Sequence, residues 1–110
     1  MADYMISRER WARMNIFEQM GNIYSEIGRS FNAKRSGKLE DETLAATRAI
    51  DLFDATVETL IEKRSVKAKE VLRAKDQFLN NLYSKKFDEK DASGLEKYFL
   101  EFATAARLTK

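Results

Sequence analysis

The chain has 110 residues, 44% of them hydrophobic and 35% charged, and contains no proline, histidine or cysteine. That length suits one domain with one core, and the missing residue types remove the usual general bases, thiolate nucleophiles and transition-metal ligands. Lys and Arg exceed Asp and Glu only by 20 to 18, a net charge of +2 that is too small to imply nucleic acid by itself.

Positions 7–13 read as a short lead-in helix. Asn15-Ile16-Phe17-Glu18 then matches a capping box, and a helix over about 16–36 follows. Its apolar stripe is Ile16, Met20, Ile23, Ile27 and Phe31, widened by Phe17 and Tyr24, and Gly37 stops it. A second long helix, about 39–62, opens on Glu40, Asp41 and Glu42. It is expected to bury Ala46, Ile50, Phe53, Val57, Leu60 and Ile61 before Lys63 and Arg64 close it. Ser65 is the expected cap of a third, about 66–84, with Ala68, Val71, Leu72, Phe78, Leu79 and Leu82 inward. Lys86 to Ser93 reads as a loop. Ser93-Gly94-Leu95-Glu96 repeats the capping-box pattern ahead of a last helix over about 94–108, carrying Leu95, Phe99, Phe102 and Ala106. Short connections make sequential helices antiparallel neighbours, so the expected fold is all-α. It is a single domain spanning 1–110, an antiparallel four-helix bundle with Tyr4, Met5 and Trp11 of the lead-in packed across it.

Four features stand out from that pattern. Lys75 falls inside the third long helix's apolar arc, where a lone ammonium is costly, so a buried charge network with Asp54 and Glu26 is expected. Gly21, Ser25 and Gly28 line one side of the first long helix, a stripe suited to close helix contact inside the monomer, against Ala103, Ala105 and Ala106, or with another subunit. The carboxylates Glu18, Glu26, Asp51, Asp54, Glu58, Glu70 and Asp76 suggest a di-iron bundle, but such sites pair glutamate with histidine. Solvated charge is therefore expected, with no metal and no cofactor. Arg8, Arg10 and Arg13 surround Trp11, and bases also gather at helix ends. Lys34, Arg35, Lys38, Lys85 and Lys86 form one candidate nucleic-acid pole; Lys63, Arg64, Lys67, Arg107 and Lys110 form another. Compensation of the helix dipole accounts for much of that pattern.

The landmarks Arg10-Trp11, Met14, Glu18-Gln19, Asn22-Ile23, Ser25-Glu26 and Arg29 resemble a group of small uncharacterised prokaryotic helical proteins. So do Arg48, Leu52, Asp54, Thr56, Glu70, Arg73-Ala74, Lys97-Tyr98-Phe99, Phe102-Ala103 and Ala105-Ala106-Arg107. That resemblance implies a helical fold and no particular activity. In architecture the chain is also similar to the basic, ring-forming helical accessory proteins of ribosomal intervening sequences and retroelements, although their Asn-Ile-Ala-Glu-Gly-like signature is missing here. No stretch approaches the ~18–20 apolar residues of a membrane span, and the N-terminal residues lack a secretory apolar core. The expectation is a cytoplasmic, non-enzymatic interaction protein that binds a protein partner or self-associates, with nucleic-acid binding as the alternative.

Overall fold

The computed structural model describes residues 5–108, so Tyr4 and Lys110 lie outside the described residues. Five helices follow in order: α1 (Arg8–Ala12), α2 (Ile16–Arg35), α3 (Leu39–Glu62), α4 (Lys67–Tyr83) and α5 (Glu89–Leu108). The first junction forms as its motif predicts: the Glu18 N–H donates to the Asn15 side chain at 2.8 Å, and the Asn15 N–H donates back to the Glu18 carboxylate at 3.2 Å.

Two turns then share one geometry with different residues. After α2, Lys38 N–H donates to the Ala33 carbonyl and Gly37 N–H to that of Lys34, with Gly37 at φ +69°. After α3, Ser65 N–H donates to Leu60 and Arg64 N–H to Ile61, but here Arg64 occupies the left-handed position at φ +54°. Glycine enters that region without a Cβ clash, whereas an arginine there costs about 1–2 kcal/mol. The Ser65 hydroxyl accepts the Lys67 N–H at 3.2 Å, but the N-cap position falls on Val66, which supplies no side-chain bond, so the cap expected at Ser65 is not formed there.

The last helix corrects the sequence reading. α5 starts at Glu89, one turn before the Ser93-x-x-Glu96 pattern, because the Asp88 carboxylate accepts the N–H groups of Lys90 and Asp91. Ala92, Leu95 and Phe99 then form a buried i, i+3, i+7 stripe, which leaves Ser93 and Gly94 on the solvent side of an established helix. The loop expected over 86–93 shrinks accordingly.

Sequential helices are neighbours around the bundle. α2 runs antiparallel to α5, with Gly21 against Ala103 at one end and Arg35 on Glu89 at the other. The centre takes one phenylalanine from each long helix: Phe31, Phe53, Phe78 and Phe99, all fully buried. Ring centroids lie 5.6 Å apart for Phe31 and Phe78, 6.0 Å for Phe53 and Phe78, and 5.7 Å for Phe53 and Phe99 in an edge-on pair. Burial of each ring contributes about 1.5–3 kcal/mol, and ring pairs add about 0.5–1.5 kcal/mol.

The core differs from expectation at its margins. Ile61 is 60% exposed in the last turn of α3, and Leu72 is 42% exposed, because α4 buries only the narrow stripe Val71, Ala74, Phe78 and Leu82. Phe17 and Ile50 also fall outside the fully buried set, and Met5 is exposed. In their place α3 buries Ala45, Ala49, Leu52, Ala55, Thr56 and Thr59. A helix with neighbours on three sides needs that broad, small-residue surface: α2 and α4 cover two sides and α1 the third.

Candidate interaction surfaces

The lead-in is fastened to α3 by polar bonds. Trp11 is buried and its indole N–H donates to the Thr56 hydroxyl at 2.9 Å, while the buried Gln19 amide donates to the Trp11 carbonyl at 2.8 Å. Asp51 accepts the Ile6 N–H and the Arg8 guanidinium, both at 2.7 Å, and Glu58 takes a second side of Arg8 at 3.3 Å. Burial works against the Arg8 charge, but the bonds from Asp51 and Glu58 outweigh it and hold the guanidinium above its ordinary pKa. Sequence reasoning assigned these carboxylates to solvent because docking of the lead-in is a long-range event without a local motif.

Other carboxylates are engaged in the same manner. Asp54 accepts the Lys75 ammonium at 2.7 Å, Glu70 accepts the Tyr98 hydroxyl, and Glu18 closes the capping box. The Lys75–Asp54 pair is the predicted one, and both side chains keep partial contact with water. Glu26 does not join it. One Glu26 oxygen accepts from Arg29 at 2.9 Å on its own helix, and the other is buried without a hydrogen-bond partner. Arg29, one turn further along the same helix, takes the place expected for Lys75 as the partner of Glu26. Among the described residues no group of three acids, histidines or cysteines could hold a metal ion.

The small-residue stripe divides into unlike halves. A Cβ on Gly21 would meet the Ala103 backbone at 3.2 Å, so this glycine serves close packing of α2 on α5, one of the two uses expected for it. Ser25 is exposed, and a Cβ on Gly28 would meet nothing within 4 Å. Packing among the described residues therefore does not require glycine at position 28.

The candidate nucleic-acid pole also divides. Arg35 bonds Glu89 at 2.9 Å and Glu96 at 3.0 Å, and its guanidinium carbon stands 5.6 Å from the Phe87 ring centroid and 5.9 Å from that of Phe31. Bonds from Glu89 first, against the opposing cost of burial, hold its pKa above the ordinary value. Arg35 is a structural clamp of α2 on α5, which removes it from that surface, while Lys38, Lys85 and Lys86 are exposed and Lys34 is half-buried. Near the lead-in, Arg13 pairs with Glu9 at 2.8 Å and Arg8 with Asp51, while Arg10, the third cation around Trp11, is exposed.

Two of the surface grooves among the described residues bear on binding. One, of about 390 Å³, opens between α2 and α3, with Ala33, Ala45 and Leu44 beneath a rim that carries Arg29, Lys38, Arg48 and Asp41. Leu44 is 56% exposed and the neighbouring Leu39 72%. The other, of about 620 Å³, opens between α4 and α5, lined by Leu95, Tyr98 and Gly94 together with the amides Gln77, Asn80 and Asn81 and the charges of Lys90 and Asp91. Neither groove was anticipated, since Ala33, Ala45 and Leu44 belong to two helices and share no sequence spacing. Comparisons with known protein families, curated proteins and solved structures find no match.

Proposed function

We propose that this protein acts by binding rather than catalysis, in the cytoplasm, and seats an acidic amphipathic helix of a protein partner in the α2–α3 groove. The observation that carries this reading is the groove itself. It combines an aliphatic floor, an exposed leucine and three cations against one carboxylate. A helix laid in a groove is held by apolar anchors and selected by flanking charge. The engagement of Arg8, Arg35, Lys75 and Tyr98 in bonds between helices supports the same view, because those polar groups serve the scaffold. Among the described residues no helix is long and apolar enough to cross a membrane.

The test is a nuclear magnetic resonance titration with a leucine-striped helical peptide flanked by glutamates, compared with a lysine-flanked twin. Amide shifts confined to Arg29, Ala33, Lys38, Leu44 and Ala45, weakened by Leu44→Asp and absent with the twin, are the expected result. Equal response to both peptides, or shifts on the α4–α5 groove, would contradict it. A solution dimer that Leu44→Asp dissolves would instead identify a second copy as the occupant.

A further inference from the structure

The charges of this chain are not evenly spread. From Lys63 to Lys75 stand six cations, Lys63, Arg64, Lys67, Lys69, Arg73 and Lys75, against the carboxylate Glu70, with Glu62 and Asp76 bordering the stretch. With only two more cations than carboxylates in the whole chain, the remainder is net acidic. Glu70 is engaged by the Tyr98 hydroxyl and Lys75 by Asp54, whereas Lys63, Arg64, Lys67, Lys69 and Arg73 are all exposed and have no ion-pair partner among the described residues.

Helix electrostatics explain only part of this. Lys63 and Arg64 follow the C-terminal end of α3, where cations are favoured, but Lys67 and Lys69 stand in the first turn of α4, where the dipole repels them. That helix start also has no side-chain cap. Lys69 and Arg73 add a like-charge pair at the i, i+4 spacing. Folding alone would select acids at 67 and 69, as it does at the starts of α3 and α5. Cations set against the field in this way leave their charge open to an anionic partner.

The shape of the patch selects among anions. Lys63, Arg64 and Lys67 surround the α3–α4 turn, whereas Lys69 and Arg73 lie on the solvent side of α4, opposite the buried Val71, Ala74 and Phe78. The cations thus turn a corner, from the end of the bundle onto its flank. A planar lipid surface meets one side at a time; a phosphodiester backbone follows both. Tyr98 adjoins Arg73, but its hydroxyl is bonded to Glu70 and its ring packs edge-on against Phe99 and Phe102, so base stacking is not provided. We infer that the face formed by Lys63, Arg64, Lys67, Lys69 and Arg73 binds the phosphate backbone of nucleic acid without sequence preference. This site is separate from the α2–α3 groove, at the other end of α3, so the two can be occupied together.

Fluorescence anisotropy with labelled single-stranded RNA and duplex DNA tests the inference. Contacts to about three to five phosphates predict a log–log salt slope of roughly −3 to −4.5 on duplex DNA and roughly −2 to −3.5 on single-stranded RNA, with a loss on the duplex of about a hundredfold between ~50 and ~200 mM salt. Lys67→Glu/Lys69→Glu/Arg73→Glu should lose at least about tenfold at the lower salt. Lys34→Glu/Lys85→Glu/Lys86→Glu should stay close to the parent protein. Lys67→Glu/Lys69→Glu should also melt at the parent's temperature or above it, which separates lost binding from lost folding. No binding at the lower salt, equal loss in both charge-reversal sets, or tighter binding to vesicles of anionic phospholipid would overturn the inference.

Discussion

The two ends of the bundle carry similar numbers of cations and use them in opposite ways. At the α2–α3 end Arg35 is enclosed by Glu89, Glu96, Phe31 and Phe87, and the turn uses glycine at its left-handed position. At the α3–α4 end the cations stand unpaired and the left-handed position holds Arg64. The first end follows what stability asks for; the second departs from it twice within a few residues. Charge at a helix end thus has no single meaning, and the partners available to it decide whether it holds the fold or faces outward.

The largest expected contrast concerns aromatic packing. Phe31→Ala, at the heart of the clamped end, should cost about 3–5 kcal/mol in denaturant unfolding, whereas Val66→Ala at the other end, where the side chain is 89% exposed, should stay within about 0.5 kcal/mol. A comparable loss from both would break the distinction. Arg35→Ala should cost about 1–2 kcal/mol through the loss of charge-assisted bonds and ring contact, with Lys85→Ala near zero.

Exchange of the turn residues sharpens the comparison further. Arg64→Gly should stabilise by about 0.5–1 kcal/mol and Gly37→Ala should destabilise by about 1 kcal/mol, both read as shifts of the thermal midpoint. Within α2, Gly28→Ala should gain up to about 1 kcal/mol in open space, while Gly21→Ala should gain less because its Cβ meets Ala103.

The smallest effect is alkaline. Burial first, and then the bond to Glu70, push the Tyr98 hydroxyl above its ordinary pKa of 10.0. An unfolded tyrosine ionises near pH ~10 while the folded one keeps its proton, so this contribution is complete below that pH and is lost as pH rises above it. Stability of the parent should therefore fall more steeply than that of Tyr98→Phe above about pH 10, with little difference at neutrality. Parallel curves would show that Tyr98 carries no such linkage.

Legibility in the sequence followed the range of each interaction. The helices and the Asn15–Glu18 box were readable because their causes lie within one turn of chain. The identical Ser93-x-x-Glu96 spacing misled because Asp88 had already supplied the cap and Ala92 had already entered the core. Lys75 announced its need for a carboxylate, and Asp54 met it, but the direction of Glu26 depended on the exit angle from its own helix. Asp51 and Thr56 carried no local signal at all, since their partners arrive with the lead-in from 40 or more positions away. The unpaired state of the α4 cations became visible only with the structure, in which Glu70 is engaged by Tyr98 and Asp54 by Lys75.

Thermal melting of two charge reversals tests the contrast between the ends most directly. Arg35→Glu should lower the midpoint sharply, while Lys67→Glu/Lys69→Glu should leave it unchanged or raise it, because acids suit the first turn of α4. A marked fall for the second variant would show that the cations of α4 hold the fold together and would contradict the account.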